Sequence, residues 1–123
     1  PTRIRNLLGA DFAQLSGEYA TALPYLAAGG HGCISVTANV APKLLSDMHK
    51  AWTAGDIAAA QAINEKLMPL HDAMFCEASP GPVKYAAHLL GLCSPDARLP
   101  ICEIAQDSKT KVAAAMRHAG LIN

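Results

Sequence analysis

The sequence has little charge and no excess of either sign. Only 16% of its 123 residues are charged, and ten Lys and Arg residues balance ten Asp and Glu residues. Nucleic-acid binding normally depends on clustered basic side chains that displace counterions from phosphates, and the chain has no basic run. It also lacks an uninterrupted apolar stretch of the roughly 18 residues that a membrane-spanning helix needs. The composition therefore argues against a nucleic-acid partner and against a membrane span.

Aromatic residues and paired cysteines are also scarce. Six aromatic residues stand against 24 alanines, which favours closely packed helices over a core built on rings. The four cysteines form no C-x-x-C pair, and no signal peptide is present, so we expect reduced thiols in a cytoplasmic protein. The sequence opens on Pro1 without an initiator Met, and we expect it to be a piece of a longer protein.

The first third of the sequence alternates between helix and strand patterns. Thr2 can cap a short helix, and residues 12–16 predict a buried strand. Residues 18–28 predict a helix kinked at Pro24, and residues 32–37 predict a second strand rich in β-branched residues. Strands separated by helices of about ten residues build parallel sheets. Because two strands alone make no stable parallel sheet, further strands must come from elsewhere.

The remaining sequence predicts helices only. Pro42 suits the first turn of a helix, and Asp56 can cap the next one, in which apolar residues recur every three or four positions. We expect Pro69 to kink that helix. Two more helices follow after a turn and a proline-containing loop, and Asp107 or Ser108 is expected to cap the last of them.

The sequence shows no metal-ligand pattern and no activated nucleophile. The five histidines lie far apart without an H-E-x-x-H motif, and we expect His49 and His71 on polar helix faces. Cys33 falls inside a predicted buried strand, where a thiol behaves as a small hydrophobic group. All six lysines lie in helical patterns, and even Lys84, among apolar neighbours, is expected to form a structural ion pair.

The carboxyl ends of the two strands are the most informative positions, because parallel barrels place their sites there. Gly17 would let a ligand approach the backbone closely. A main-chain carbonyl within residues 34–39 could accept a hydrogen bond from a ligand. Ordinary turn chemistry also explains both segments, and both interpretations remain open on spacing alone.

Several longer motifs resemble the dihydrodipicolinate synthase family. They are Leu-Ser-Gly at 15–17, Gly-Gly-His-Gly-Cys-Ile-Ser-Val-Thr-Ala-Asn-Val at 29–40, Leu-Met-Pro-Leu-His at 67–71, Pro-Val-Lys at 82–84, Arg-Leu-Pro at 98–100 and Ala-Gly-Leu at 119–121. The resemblance covers essentially the whole chain. Residues 34–40 favour this family over its relative N-acetylneuraminate lyase.

The resemblance implies the C-terminal part of a (β/α)8 barrel, namely its last two strands with their helices, followed by a helical domain. Residues 1–55 would form the end of the barrel and residues 56–123 the helical domain. The family condenses pyruvate with aspartate semialdehyde in lysine biosynthesis, through a Schiff base on a barrel lysine and with no cofactor. Its members are usually homotetramers.

The resemblance also implies roles for residues at the strand ends. Ile34 matches the position whose main-chain carbonyl contacts the pyruvate adduct, and Gly17 matches a glycine near the substrate. Ser35 and Asn39 match supporting positions. The Schiff-base lysine, the proton-relaying tyrosine and the threonine pair belong to earlier strands. The chain is therefore expected to be inactive alone, to contain no catalytic residue or metal site, and to need the upstream half of the barrel.

One position departs from the family, and one alternative function stays open. Glu18 stands where the family commonly has Asp, and its longer side chain could crowd the site of the second substrate. The alternative is a non-catalytic helical interaction module derived from the barrel tail. Its difficulty is that the two strands would expose unpaired backbone and apolar faces unless other strands cover them.

Overall fold

A computed structural model describes residues 1–123 as six α-helices, one 3-10 turn and two short strands. The helices are α1 (Thr2–Leu8), α2 (Ala22–Ala27), α3 (Pro42–Thr53), α4 (Ile57–Ala73), α5 (Gly81–Leu89) and α6 (Gln106–Ala119). The strands are β1 (Leu15–Ser16) and β2 (Gly32–Cys33), and the 3-10 turn spans Thr37–Asn39. None of the helices combines the length and the apolar character that crossing a membrane requires.

The two strands pair in parallel, as their alternation with helices predicts. Ser16 lies opposite Cys33, and the Ile34 amide donates to the Ser16 carbonyl oxygen at 2.8 Å. The strands are, however, much shorter than predicted. The expectation that residues 12–16 are buried holds only for Gln14 and Ser16, since Phe12 is 49% exposed and Leu15 is 53% exposed. Each strand has only the other as a neighbour. Without a second hydrogen-bonded neighbour, little holds the flanking residues in an extended conformation.

The first two helices also begin at other residues than predicted. The side chain of Thr2 makes no capping hydrogen bond, because Thr2 lies inside α1 rather than before it. Helix α2 begins only at Ala22, since the Glu18 carboxylate accepts the Ala20 amide at 2.9 Å and fixes a turn there. Pro24 occupies the first turn of α2, where the backbone amides have no partner within the helix. Its missing N–H therefore breaks no helical hydrogen bond, and the expected kink has no physical basis.

Helices α3 to α6 enclose the hydrophobic core. Helix α4 packs against α3 and α6, and α5 packs against α6. The largest fully buried hydrophobic side chains are Met48, Leu67, Leu70, Met74, Met116 and Val112. Burying a side chain of this size contributes about 1.5–3 kcal/mol relative to leaving it exposed. Tyr19 is the only aromatic residue among the buried ones, which confirms the light, alanine-rich core that the composition predicts.

The predicted cap at the start of α4 is confirmed. Oδ1 of Asp56 accepts the Ala59 amide at 3.0 Å, which satisfies one of the first free amides of the helix. Pro69 lies inside α4, which continues beyond it to Ala73.

The predicted cap of α6 is wrong. The helix begins at Gln106, so Asp107 and Ser108 lie inside its first turn. The cap comes instead from Glu77, between α4 and α5, whose Oε1 accepts the Ala105 amide at 2.8 Å. The Ser108 side chain forms a second hydrogen bond to the Glu77 carboxyl group. Together with the bond from the Ala105 amide, it lowers the pKa of Glu77. A cap from 28 residues away leaves no local signature in the sequence.

Candidate functional site

The structure brings Gly17 and Ile34 together at the carboxyl end of the two-stranded sheet. Gly17 directly follows Ser16, the last residue of β1, and the Ile34 amide donates to the Ser16 carbonyl oxygen. The Ile34 side chain is 71% exposed, and no hydrogen bond within the chain uses the Ile34 carbonyl oxygen. The predicted site therefore presents a free main-chain acceptor beside a glycine.

Gly17 has no role in packing within the chain. A Cβ atom at this position would meet no atom within 4 Å, and the backbone of Gly17 is not in the left-handed region that favours glycine. Neither backbone strain nor crowding by the chain explains a glycine here. Within these 123 residues the space beside Gly17 is open.

Ser35 and Asn39 secure the segment that follows Ile34. The Ser35 carbonyl oxygen accepts the Ala38 amide at 3.2 Å, and the Asn39 side-chain amide donates to the Val36 carbonyl oxygen at 2.9 Å. The Ser35 hydroxyl is buried without a hydrogen-bond partner. Asn39 thus holds the turn through its side chain, whereas Ser35 contributes only its main-chain carbonyl.

Glu18 folds back onto its own turn. Its Oε1 accepts the Ala20 amide, while the Ser16 hydroxyl accepts the Glu18 amide at 3.0 Å and lies 2.9 Å from the Glu18 carbonyl oxygen. These bonds fix the loop after β1. They also hold the carboxylate against the backbone of that loop.

Behind the strand ends lies a buried polar cluster that the sequence did not predict. The polar atoms Oγ1 of Thr37 and Nδ1 of His71 are 2.9 Å apart, and both residues are at most 2% exposed. The ring of Tyr19 lies against His71, with centroids 4.9 Å apart, and against Phe75, at 5.5 Å. The expectation that His71 lies on a polar face is wrong.

The pattern of α4 contains the signal that would have located His71. Leu67, Leu70 and Met74 form its buried stripe, and position 71 lies one turn after Leu67 on the same face. A histidine at that position must be buried and needs a hydrogen-bond partner. His49, on α3, is half-buried rather than on a fully polar face, and burial lowers its pKa.

Burial sets the charge state of this cluster. It lowers the pKa of His71, against the smaller opposing effect of Asp72 and Glu18, so the imidazole is neutral at pH 7. Burial, then the negative charge of Glu18, raises the pKa of Tyr19 to about 12. The same two causes raise the pKa of the half-buried Cys33, which keeps it a neutral thiol as expected.

Outside these segments, charged side chains form hydrogen bonds and ion pairs at the surface. Nζ of Lys84 donates to the main-chain carbonyl of Asp96, so the ion pair expected for this lysine is wrong. The ion pairs of the structure are Lys43 with Asp47 and Lys109 with Glu103. No group of three or more His, Cys, Asp or Glu side chains is placed to hold a metal ion.

The fold is that of a piece of the parallel α/β barrel that solved dihydrodipicolinate synthases share. The Thermotoga maritima enzyme matches 98% of the chain with a TM-score of 0.93 and 30% sequence identity, over 41% of its own length. The Acinetobacter baumannii enzyme, chloride-inhibited and solved with pyruvate, matches 98% of the chain with a TM-score of 0.88 and 38% identity, over 41% of its own length.

The chain belongs to the dihydrodipicolinate synthetase family, whose model matches residues 1–119. The 4-hydroxy-tetrahydrodipicolinate synthase of Gluconacetobacter diazotrophicus is 54% identical to it over 124 residues, which cover 100% of the chain and 42% of that relative. The resemblance found in the motifs is thereby confirmed. The chain spans about two fifths of the length of the curated relatives that it matches.

Proposed function

We propose that the chain is the C-terminal part of a 4-hydroxy-tetrahydrodipicolinate synthase, a cytoplasmic, homotetrameric lyase of lysine biosynthesis that condenses pyruvate with aspartate semialdehyde. Residues 1–55 would supply the last two strands of its barrel, and residues 56–123 its helical domain. Family membership, the two parallel strands and the pyruvate-bound relative support this function. The observation that carries it is the main-chain carbonyl of Ile34, which no hydrogen bond within the chain uses, beside the space that the chain leaves open at Gly17.

These two residues can orient a substrate but cannot activate it. The Ile34 carbonyl oxygen can accept a hydrogen bond from an N–H or O–H group of a pyruvate adduct, and Gly17 leaves room for that adduct. All six lysines of the chain lie in α3 to α6, and none follows a strand. The Schiff-base lysine must therefore come from an upstream half of the barrel, and the chain alone is expected to be inactive.

A chimera tests this function directly. The chain would replace the matching C-terminal part of the Gluconacetobacter diazotrophicus relative, to which it is 54% identical. With pyruvate and borohydride, the chimera should gain the mass of one reduced pyruvate, whereas the chain alone should gain nothing. A folded chimera that neither traps pyruvate nor makes product would overturn the proposal.

Substituting Gly17 tests its place beside the substrate. Gly17→Val puts an isopropyl group into space that no atom of the chain occupies, and we expect it to obstruct pyruvate binding. A thermal melt of the chimera checks that the variant is folded. We expect kcat/KM for pyruvate in the chimera to fall roughly tenfold to a hundredfold. Gly17→Ala, with a smaller side chain, should give an intermediate loss. Wild-type kinetics in Gly17→Val would remove this residue from the site.

The alternative of a non-catalytic interaction module has weaker support. The helices do share a core of their own, as such a module would need. The side chains of Phe12, Leu15 and Ile34 are nevertheless all about half exposed or more, next to strands with one unpaired edge each. A free-standing module would not preserve apolar groups in this position.

A further inference from the structure

One side chain of α4 contacts both segments that carry the proposed site. Nδ1 of His71 is 2.9 Å from Oγ1 of Thr37, three residues after Ile34. The same ring lies 4.9 Å, centroid to centroid, from the ring of Tyr19, two residues after Gly17. A single imidazole thus contacts both segments.

The contact to Thr37 bears on the backbone that follows Ile34. Thr37 is completely buried and begins the 3-10 turn, and its carbonyl oxygen accepts the Val40 and Ala41 amides at 3.1 and 2.9 Å. Its hydroxyl reaches His71 across 34 residues of sequence. A hydrogen bond shielded from water is strongly directional, and breaking it leaves a buried polar group unpaired. Thr37 therefore cannot move away from α4 without cost.

The contact to Tyr19 bears on the loop after β1. Tyr19 is 3% exposed, and its ring fills the space between His71 and Phe75. The preceding residue, Glu18, is bound to the same loop by the Ser16 hydroxyl. Displacing the imidazole would leave a void beside Tyr19 and loosen the loop that contains Gly17.

We propose that His71 is a positioning residue that holds the segment of Ile34 and the segment of Gly17 at a fixed separation, and so sets the affinity of the site for its substrate. The proposal rests on the proposed function for its substrate, but its structural part does not depend on it. A neutral imidazole suits this role, because one ring nitrogen can pair with Thr37 without placing a charge in the core.

Four variants of the chimera separate the hydrogen bond from the bulk of the ring. His71→Leu and Thr37→Val remove the bond at nearly constant volume. His71→Asn and Thr37→Ser keep a polar group where the bond is made. His49→Leu is the matched control, since His49 is a half-buried histidine of α3 with no side-chain hydrogen bond to either segment.

We expect His71→Leu and Thr37→Val each to raise KM for pyruvate about tenfold, the effect of losing one buried hydrogen bond, with a smaller change in kcat. The double variant should lose little more than either single one, because both break the same bond. His71→Asn and Thr37→Ser should restore most of the affinity, and His49→Leu should leave KM unchanged. A residue that only stabilises the fold would lower the amount of active enzyme and leave KM alone.

Amide hydrogen exchange tests the same inference without catalysis. The Ile34 amide bridges the two segments through its bond to Ser16, so its exchange reports on their separation. In the chimera it should speed up in His71→Leu and Thr37→Val but not in His49→Leu. Unchanged exchange and unchanged KM in both bond-breaking variants would overturn the role of His71. Loss of pyruvate trapping in the unsubstituted chimera would instead overturn the proposed function, while the exchange result still decides the role of His71.

Discussion

Two regions of the chain differ in how far their side chains are buried. In the helical body, defined as residues 37–123, side chains such as Met48, Leu67 and Met116 are completely buried. In the strand segment, defined as residues 1–36, α1 buries no residue at all and Leu7 is 82% exposed. Helix α2 joins the core through Ala22, Leu23 and Leu26, and Cys33 and Val36 of the strand segment pack against it.

The difference follows from where each kind of element finds its hydrogen bonds. A helix pairs its backbone internally and needs only one buried stripe, which the neighbouring helices provide. A strand pairs its backbone only with other strands, and β1 and β2 have only each other, so each leaves one edge unpaired. The helical body can therefore pack within this sequence, whereas the strand segment is organised for contacts that this sequence does not supply.

The largest expected effect concerns the strand segment in isolation. The 123-residue chain alone should bind an apolar dye and self-associate, because Leu7, Leu8, Phe12 and Ile34 are all exposed. The chimera should do neither, as measured by dye fluorescence and light scattering. Leu7→Lys with Leu8→Lys should reduce association of the chain alone and impair folding of the chimera. If the chain alone is monodisperse, melts cooperatively and binds no dye, the strand segment does not need contacts from outside this sequence.

The next effect compares one leucine from each region. Leu67→Ala, in the core of the helical body, should lower the free energy of unfolding by about 2–5 kcal/mol, since it leaves a cavity. Leu7→Ala in the chain alone should change it by less than about 0.5 kcal/mol, because Leu7 touches little. Urea unfolding measures both.

The same pair in the chimera sharpens the comparison. If upstream strands cover α1, Leu7→Ala should become markedly more destabilising there than in the chain alone, while Leu67→Ala should cost about the same in both. An equally small effect of Leu7→Ala in both proteins would show that α1 stays uncovered in the barrel.

The fold could be predicted from the sequence where its signals are local. The stripe of α4, the Asp56 cap and the left-handed Gly120 after α6 are all visible in short windows. Strand lengths could not be predicted, because they depend on neighbouring strands. Nor could the cap of α6, because Glu77 reaches it from 28 residues away.

The residues of the candidate site also differ in whether the sequence alone could predict them. Because a parallel barrel places its site at the strand ends, the sequence points to Gly17 and to the carbonyls of residues 34–39, and only the family resemblance singles out Ile34. The pairing of β1 with β2 brings Gly17 and Ile34 together. His71 was missed because a histidine in a helix resembles a surface residue until the buried stripe is traced through it. Its partner Thr37 was assigned to a strand, where no link to a distant helix would be expected.

A smaller effect is the pH dependence of stability that His71 gives to the helical body. The pKa of His71 is lowered by burial below its ordinary value of 6.5, so above pH 6.5 its neutral form contributes stability in full. As pH falls through 6.5 towards the folded pKa, the unfolded state binds the proton and stability is lost, at no more than about 1.4 kcal/mol per pH unit. The free energy of unfolding between pH 7 and 5 should therefore fall less steeply in His71→Asn. An unchanged slope would mean that His71 titrates normally in the folded protein.

The smallest effect concerns the cap that joins two parts of the helical body. Because hydrogen bonds from the Ser108 side chain and the Ala105 amide lower the pKa of Glu77, its carboxylate stabilises the fold above its ordinary pKa of 4.5. That contribution is lost as pH falls through the lower folded value. Glu77→Gln keeps an acceptor but removes the charge near the positive end of α6, so it should lower Tm slightly at pH 7 and match the unsubstituted protein once the pH is below the lowered pKa of Glu77. Glu65→Gln, at an exposed position of α4, is the control and should change neither. A Tm difference for Glu77→Gln that persists at low pH would mean that the hydrogen-bond geometry, rather than the charge, holds α6 to the segment after α4.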